Sequence, residues 1–236
     1  MTVATLKRTE KKNALDQIKP VNELDDIKDL DVNPSTFKQA IEEYKNFLNL
    51  PNSIFCEDDV IHAVLRIYHK AIILPKEIEI FKDRIVPFYE NWSFSDIEED
   101  FWSFSDTGYF LTNLIQNSYN AGHNNFNIGN NGFSYLGMSL EGKKENPLIM
   151  NIEENYGDLI GNKAKNIIFN VKKEKNFDRI EKGGFTIGCE SKNCILKSPD
   201  KKTLTLTADS GLGSSIKEFY LIQPNGDEIP YIPKKK

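Results

Sequence analysis

Cysteine, histidine, methionine and long apolar runs are all scarce in this sequence. Of 236 residues, 3 are Cys, 3 are His and 3 are Met. An odd cysteine count without an export signal favours reduced thiols, and so a cytoplasmic protein, over a disulfide framework. The strongest apolar run, Ala71–Leu74, stops at Pro75 and falls short of the roughly 18 residues of a membrane span. Residues 1–12 have no apolar segment behind their charges, so no secretory signal is expected.

Positive charge is in short supply as well. The net charge is −5 and the isoelectric point is about 5.4. A general nucleic-acid-binding protein needs a basic surface, so neither nucleic acid nor a membrane is expected as a partner. Residues 35–122 hold 14 Asp or Glu against 7 Lys or Arg, whereas residues 123–236 are slightly basic. Two such regions can dock on each other or face different partners.

The first part of the chain carries helical patterns. Residues 1–32 are polar and Asp-rich, with apolar positions at intervals of three, and are predicted to be a flexible arm that becomes ordered on a partner. Asn33-Pro34 is an N-cap followed by a proline at the first helical position, which predicts a helix start. A second apolar stripe runs from Val60 to Ala71 behind acidic residues. A third helix is predicted over Pro75–Ile85.

A five-residue phrase is duplicated next. Trp92–Asp96 recurs unchanged as Trp102–Asp106. Both copies are interpreted as helix starts, because Ser and Asp cap helix N-termini. The second copy would begin a helix over 107–121, which Gly122 would end. An acidic helical domain is therefore predicted over residues 33–122.

A glycine-centred phrase recurs three times in the second half of the chain. Each copy has an apolar residue directly before a glycine, followed by a polar turn and a short apolar strand. The copies are Phe133–Gly137, Gly157–Gly161 and Gly184–Gly188, and the strands are Leu148–Ile152, Ile167–Val171 and Cys194–Leu196. The final glycines lie 24 and 27 residues apart, within the range of solenoid repeats. About three stacked coils are predicted.

The end of the chain differs from these repeats. Leu204, Leu206 and Ala208 alternate with threonines, and two apolar segments flank Pro224–Asp227, a hairpin signal. This segment is interpreted as the cap that the open end of a solenoid needs. The predicted fold is α+β, with a β-solenoid and its C-terminal hairpin cap over residues 123–236.

The second repeat carries a family resemblance. Gly157–Val171 resembles the repeat unit of a group of uncharacterised archaeal proteins, which iterate a Gly-Asp, an apolar pair with Gly, an Ala-Lys-Asn corner and an apolar strand. It is more distantly similar to the right-handed β-helix at the C-terminus of glutamate synthase large subunits. The resemblance covers roughly residues 123–200. It implies a right-handed solenoid with a non-catalytic tendency and assigns no active-site residues.

Metal and nucleotide chemistry have little support in the sequence. Cys189 and Cys194 lack a second cysteine pair or a local histidine, and Cys194 occupies an apolar strand position, so a buried thiol is expected. His62 and His69 are seven residues apart on the predicted second helix, too far to share a metal ion. No Gly-rich loop leads from a strand into a helix with Lys-Ser/Thr, so no cofactor is expected.

Acid–base chemistry leaves one hypothesis open, a pair of carboxylates. Asp106-Thr107-Gly108 spells the aspartic-protease tripeptide, but it occurs once and at a predicted helix start, so it is a chance match. The solenoid region offers carboxylates for a sugar-cleaving pair, with lysines alternating among them. They are Glu153, Glu154, Asp158, Glu174, Asp178 and Glu190.

The leading hypothesis is a non-enzymatic interaction or scaffold protein that uses a rigid solenoid face. A carbohydrate- or glycoconjugate-active enzyme is the alternative. A protein partner is expected, and pairing between copies through exposed solenoid edges is a further possibility.

Overall fold

The computed structural model describes residues 32–48, 69–85, 97–155, 157, 159–174, 187–209 and 215–233. In these ranges the chain forms four helices and one sheet of six strands, so the fold is α+β and contains a β-solenoid of about three turns. In chain order the elements are α1 Pro34–Leu48, α2 Pro75–Ile85, α3 Ile97–Asn120, β1 Asn125–Asn131, β2 Leu148–Asn155, β3 Ile167–Glu174, β4 Ile195–Ser198, α4 Lys201–Asp209, β5 Glu218–Ile222 and β6 Glu228–Pro230.

The first helix begins where the sequence predicts. The Asn33 side chain accepts the backbone N–H groups of Ser35 at 3.2 Å and Thr36 at 3.4 Å, which satisfies two donors of the first turn. The buried Glu77 carboxylate accepts the N–H of Asn33 and the N–H of Leu74, each at 2.6 Å. One carboxylate therefore joins the starts of α1 and α2.

Two helix predictions need correction. Ala71, at the end of the predicted second stripe, lies in a segment without regular structure, and the stripe's residues 60–68 lie outside the described ranges. Trp102–Asp106 lies inside α3, which runs unbroken from Ile97, so this phrase does not start a helix. Its first copy, Trp92–Asp96, is outside the described residues. Gly122 does follow the helix, with φ at +108°.

The sheet is a parallel stack with one strand per coil. Strands β1 to β5 pair in chain order, and β6 adds to β5 in the antiparallel sense. The register aligns one inward residue of each coil, and these side chains fill the core. They are Phe126, Met150, Phe169, Leu196 and Phe219. Apart from Leu159 and Cys189, the described buried apolar side chains of helices and coils belong to a single cluster.

Backbone hydrogen bonds also stack the turns between strands. Gly161 N–H donates to Leu136 at 2.8 Å, and Gly188 N–H donates to Ile160 at 2.7 Å. Gly137, Gly161 and Gly188 have φ of +78°, +64° and +72°, the left-handed region that favours glycine. A Cβ on Gly161 would lie 2.2 Å from the Phe169 ring. The glycine repeat therefore reflects both backbone conformation and close packing.

The C-terminal segment covers the last coil. The turn after Gln223 has Gly226 at φ +89°, and Gln223 N–H bonds Asp227, which confirms the predicted hairpin. The Thr/Leu alternation at 203–208 belongs to helix α4, where Thr203, Leu204 and Thr207 are buried. Asp200 accepts the N–H groups of Lys202 and Thr203 and so starts this helix.

Candidate binding surfaces of the solenoid

Strand alternation gives the solenoid a flat outer face, defined here by the outward side chains of β1 to β4. Two rows run across the strands on this face. One is Ile149, Ile168 and Ile195, and the other is Asn127, Asn151 and Asn170. The three isoleucines, Asn151 and Asn170 are half-buried, and Asn127 is exposed.

Side-chain hydrogen bonds fix the asparagine row. Asn151 donates to Oδ1 of Asn127 at 3.0 Å and to Oδ1 of Asn125 at 2.6 Å. Asn170 donates to Oδ1 of Asn151 at 2.7 Å. Each amide is held by its neighbour, so the row presents oriented polar groups with little rotamer freedom.

Ion pairs lie beside the two rows. Lys172 contacts Glu153 at 2.5 Å, and Lys197 contacts Glu228 at 2.7 Å. These pairs are partly exposed, so their contribution to stability is small. The outer face therefore combines an apolar row and a neutral amide row with a charged margin.

A second asparagine ladder lies inside the solenoid corner and was not predicted from the sequence. Asn131 donates to Asn155 at 2.7 Å, and Asn155 donates to the Glu174 carboxylate at 2.8 Å. Both asparagines also bond the backbone of their own corners, at Phe133 and Gly157. The 24-residue spacing of the two asparagines, which equals the Gly137–Gly161 spacing, was the available signal.

Helix α3 lies along the edge of the first coil that no other coil covers in the described part of the chain. Gln116 bonds both the N–H and the carbonyl of Glu141, at 2.8 and 3.2 Å. Thr112 Oγ1 accepts the N–H of Gly137 at 2.6 Å, and the Tyr119 hydroxyl accepts the N–H of Lys143 at 2.6 Å. These three side chains follow helical spacing, so one helix face satisfies the backbone edge of the coil.

A polar cleft of about 490 Å³ opens between α3 and the turn segment Met138–Lys143. Its helical wall carries Asn113, Gln116, Asn117 and Asn120. Asn113 is 9% exposed, and its amide nitrogen is buried without a hydrogen-bond partner among the described residues. The wall is rich in neutral carboxamides, which both donate and accept hydrogen bonds.

The candidate carboxylates do not gather in one place. Glu153 lies on the outer face, Glu174 is buried at the corner ladder, and Glu190 is exposed on the turn side of the third coil. Glu154 is half-buried on β2, and Asp158 and Asp178 lie outside the described residues. Asp106 is within helix α3 instead of at its start, which corrects that expectation.

The described histidine and cysteines of the sequence analysis, His69, Cys189 and Cys194, are buried. His69 is buried outside any helix, 3.0 Å from Glu43 and edge-on to Phe110. Burial lowers the pKa of His69, although Glu43 acts in the opposite direction. Cys189 and Cys194 are buried and form no disulfide within the described residues, and burial raises the pKa of both thiols. Cys194 directly precedes β4 and is buried, as expected, whereas His62 and the third cysteine, Cys56, are outside the described ranges.

The described residues include no group of three His, Cys, Asp or Glu side chains that could hold a metal ion. The helices among them lack the length and apolar composition that crossing a bilayer requires. Comparisons with protein-family models, with curated proteins and with solved structures find no match to this chain.

Proposed function

We propose that this chain is a non-enzymatic, cytoplasmic interaction protein that binds a protein partner through the outer face. The observation that carries the proposal is the pairing of the half-exposed row Ile149–Ile168–Ile195 with the hydrogen-bonded asparagine row beside it. Protein interfaces combine an apolar centre with polar groups and a charged rim in this way.

Rigidity supports the same proposal. Strands β2, β3 and β4 are each held on both sides by parallel pairing, and the amides of the second row are held by one another. A surface that does not reorganise avoids part of the entropic cost of binding.

The alternative, a sugar-cleaving enzyme, requires two carboxylates on either side of a scissile bond. Glu153, Glu174 and Glu190 lie on three different sides of the solenoid. No observation on the described carboxylates favours a sugar-cleaving enzyme.

A matched pair of variants tests the outer face. Ile168→Lys places a charge in the middle of the isoleucine row, and Ile232→Lys makes the same change at a position that is 87% exposed near the C-terminus. Both variants and the parent protein are tagged, cross-linked inside native cells so that rapidly exchanging partners are retained, and purified, and the cross-linked proteins are quantified by mass spectrometry. Circular dichroism and urea unfolding check that each variant folds.

The expected result is at least tenfold loss of a specific partner with Ile168→Lys and retention with Ile232→Lys. Equal recovery of every partner by the parent protein and folded Ile168→Lys would overturn the proposal.

A further inference from the structure

We propose that the polar cleft between α3 and Met138–Lys143 is a binding site for a small neutral sugar of monosaccharide to disaccharide size. The site lies apart from the outer face and does not depend on the function proposed for that face. Its volume of about 490 Å³ falls in the range of small-molecule sites.

The first argument is the unpaired hydrogen-bonding capacity of the helical wall. Asn113 has a buried amide nitrogen without an acceptor among the described residues. Buried donors in folded proteins are nearly always paired, so a water or a ligand bound in the cleft is expected to accept from this nitrogen. A sugar hydroxyl or an acetamido carbonyl can be this acceptor.

The second argument is the arrangement of donors and acceptors along one face of α3. Asn117 uses its amide nitrogen for the carbonyls of His69 and Ala71, both at 3.3 Å. Its Oδ1 therefore remains an acceptor, one helical turn from the Asn113 donor. Asn120 accepts from Gln116 at 3.2 Å and keeps its own amide nitrogen as a donor. Alternating donors and acceptors at this spacing suit vicinal hydroxyls, each of which can do both.

The third argument is charge. The helical wall of the cleft carries only carboxamides and hydroxyls, which do not neutralise a full charge on a ligand, and the charged side chains of the opposite wall, Glu141 and Lys143, are exposed and of opposite sign. The Glu141 carboxylate at the rim already contacts Lys165. A buried charge without a partner is costly, so a neutral ligand fits better than a phosphate or a carboxylate.

The fourth argument is preorganisation. Gln116 is held by the Glu141 backbone, Asn117 by the 69–71 segment, and Thr112 by Gly108 and Gly137. Side chains fixed in this way lose little freedom when a ligand arrives.

Titration of the full chain with cellobiose and N,N′-diacetylchitobiose tests the site, using calorimetry and saturation-transfer NMR. Glucose 6-phosphate is the charged comparison. We expect at least one neutral disaccharide to bind more tightly than glucose 6-phosphate.

Two variants decide whether this binding uses the cleft. Asn113→Leu removes the unpaired amide with little change in volume, so it is expected to weaken the disaccharide at least tenfold while leaving the urea midpoint unchanged or higher. Asn225→Leu, at an exposed asparagine of the C-terminal hairpin turn, is the control and should leave affinity unchanged.

Three results would overturn the proposal. The first is that neither neutral disaccharide binds at millimolar concentration. The second is that glucose 6-phosphate binds more tightly than both disaccharides. The third is that folded Asn113→Leu binds the disaccharide with unchanged affinity. If Asn113→Leu instead loses stability, the amide is a structural group and the inference also fails.

Discussion

The side-chain amide of Gln116 pairs with the backbone of Glu141 in the way that a peptide group of a neighbouring strand pairs within a β-sheet. It accepts the Glu141 N–H at 2.8 Å and donates to the Glu141 carbonyl at 3.2 Å. The helix thus supplies hydrogen bonds that an additional coil would otherwise make. An uncovered edge would be open to pairing with another chain.

Replacing Gln116 should therefore weaken the protein and expose this edge. Gln116→Leu is expected to lower the free energy of unfolding by about 1 kcal/mol, because three exposed hydrogen bonds are lost, two with the Glu141 backbone and one with the Asn120 side chain. Gln39→Leu, an exposed glutamine of α1 that bonds only a side chain, is the control and should cost less than about 0.5 kcal/mol. Urea unfolding measures both, and light scattering reports any association. Equal costs would contradict the role assigned to Gln116.

The repeated glycine gives a second prediction. Gly161→Ala combines a left-handed φ with a Cβ only 2.2 Å from the Phe169 ring, whereas Gly122→Ala shares the positive φ but meets nothing within 4 Å. Gly122→Ala is expected to cost about 1 kcal/mol from backbone strain. Gly161→Ala should cost at least about 2 kcal/mol more, because the ring must move. Thermal and urea unfolding of the two proteins check the difference, and similar midpoints would show that the corner relaxes freely.

The two asparagine ladders give a third prediction, on a single strand. Asn155→Ala removes bonds to Asn131, Glu174 and Gly157 at a buried corner, so we expect a loss of about 3 kcal/mol. Asn151→Ala acts on the half-buried outer row and should cost about 1 kcal/mol or less. Both are measured by urea unfolding at one pH. A larger loss of unfolding free energy for Asn151→Ala than for Asn155→Ala would show that the outer row, and not the inner ladder, stabilises the fold.

His69 makes stability depend on pH. Burial lowers its pKa below the 6.5 of an exposed imidazole, an effect opposed by Glu43. The unfolded chain then binds a proton at a pH where the folded chain does not, so this contribution is intact above pH 6.5 and is lost as the pH falls through 6.5 towards the folded pKa. His69→Gln should flatten the decline of the urea midpoint on acidification. His123→Gln, a half-buried histidine outside this aromatic cluster, is the comparison, and an unchanged slope in His69→Gln would contradict the mechanism.

The solenoid was predictable because its constraints repeat. The glycines at 137, 161 and 188 mark corners, and the apolar-Asn-apolar strands mark inward and outward positions. The non-glycine corners at Ser139, Lys163 and Glu190 share φ near +55° but carry three unrelated side chains, so no pattern revealed them.

The errors have a common physical cause. Trp102–Asp106 contains good capping residues, yet the helix continues through them, because local capping preference is weak beside the burial of the α3 face from Thr107 to Ile115. The threonine alternation at 203–208 reads as extended, yet Asp200 starts a helix there and Leu204 enters the core. Neither the cleft nor Asn113 was predictable, since both arise from the contact of α3 with a turn distant in sequence.

The capped ends of the solenoid also fix how large an area it can offer. At one end lies α3, and at the other lies β6, a three-residue edge strand containing Pro230, which has no N–H to donate. The four parallel strands of the outer face, spaced about 4.8 Å apart and some 20 Å long, give it an area of about 400 Å². A stable protein interface covers about 800 Å² per partner. Contact through this face alone therefore belongs to the transient, rapidly exchanging class, and lasting association requires a partner that presents several such contacts together.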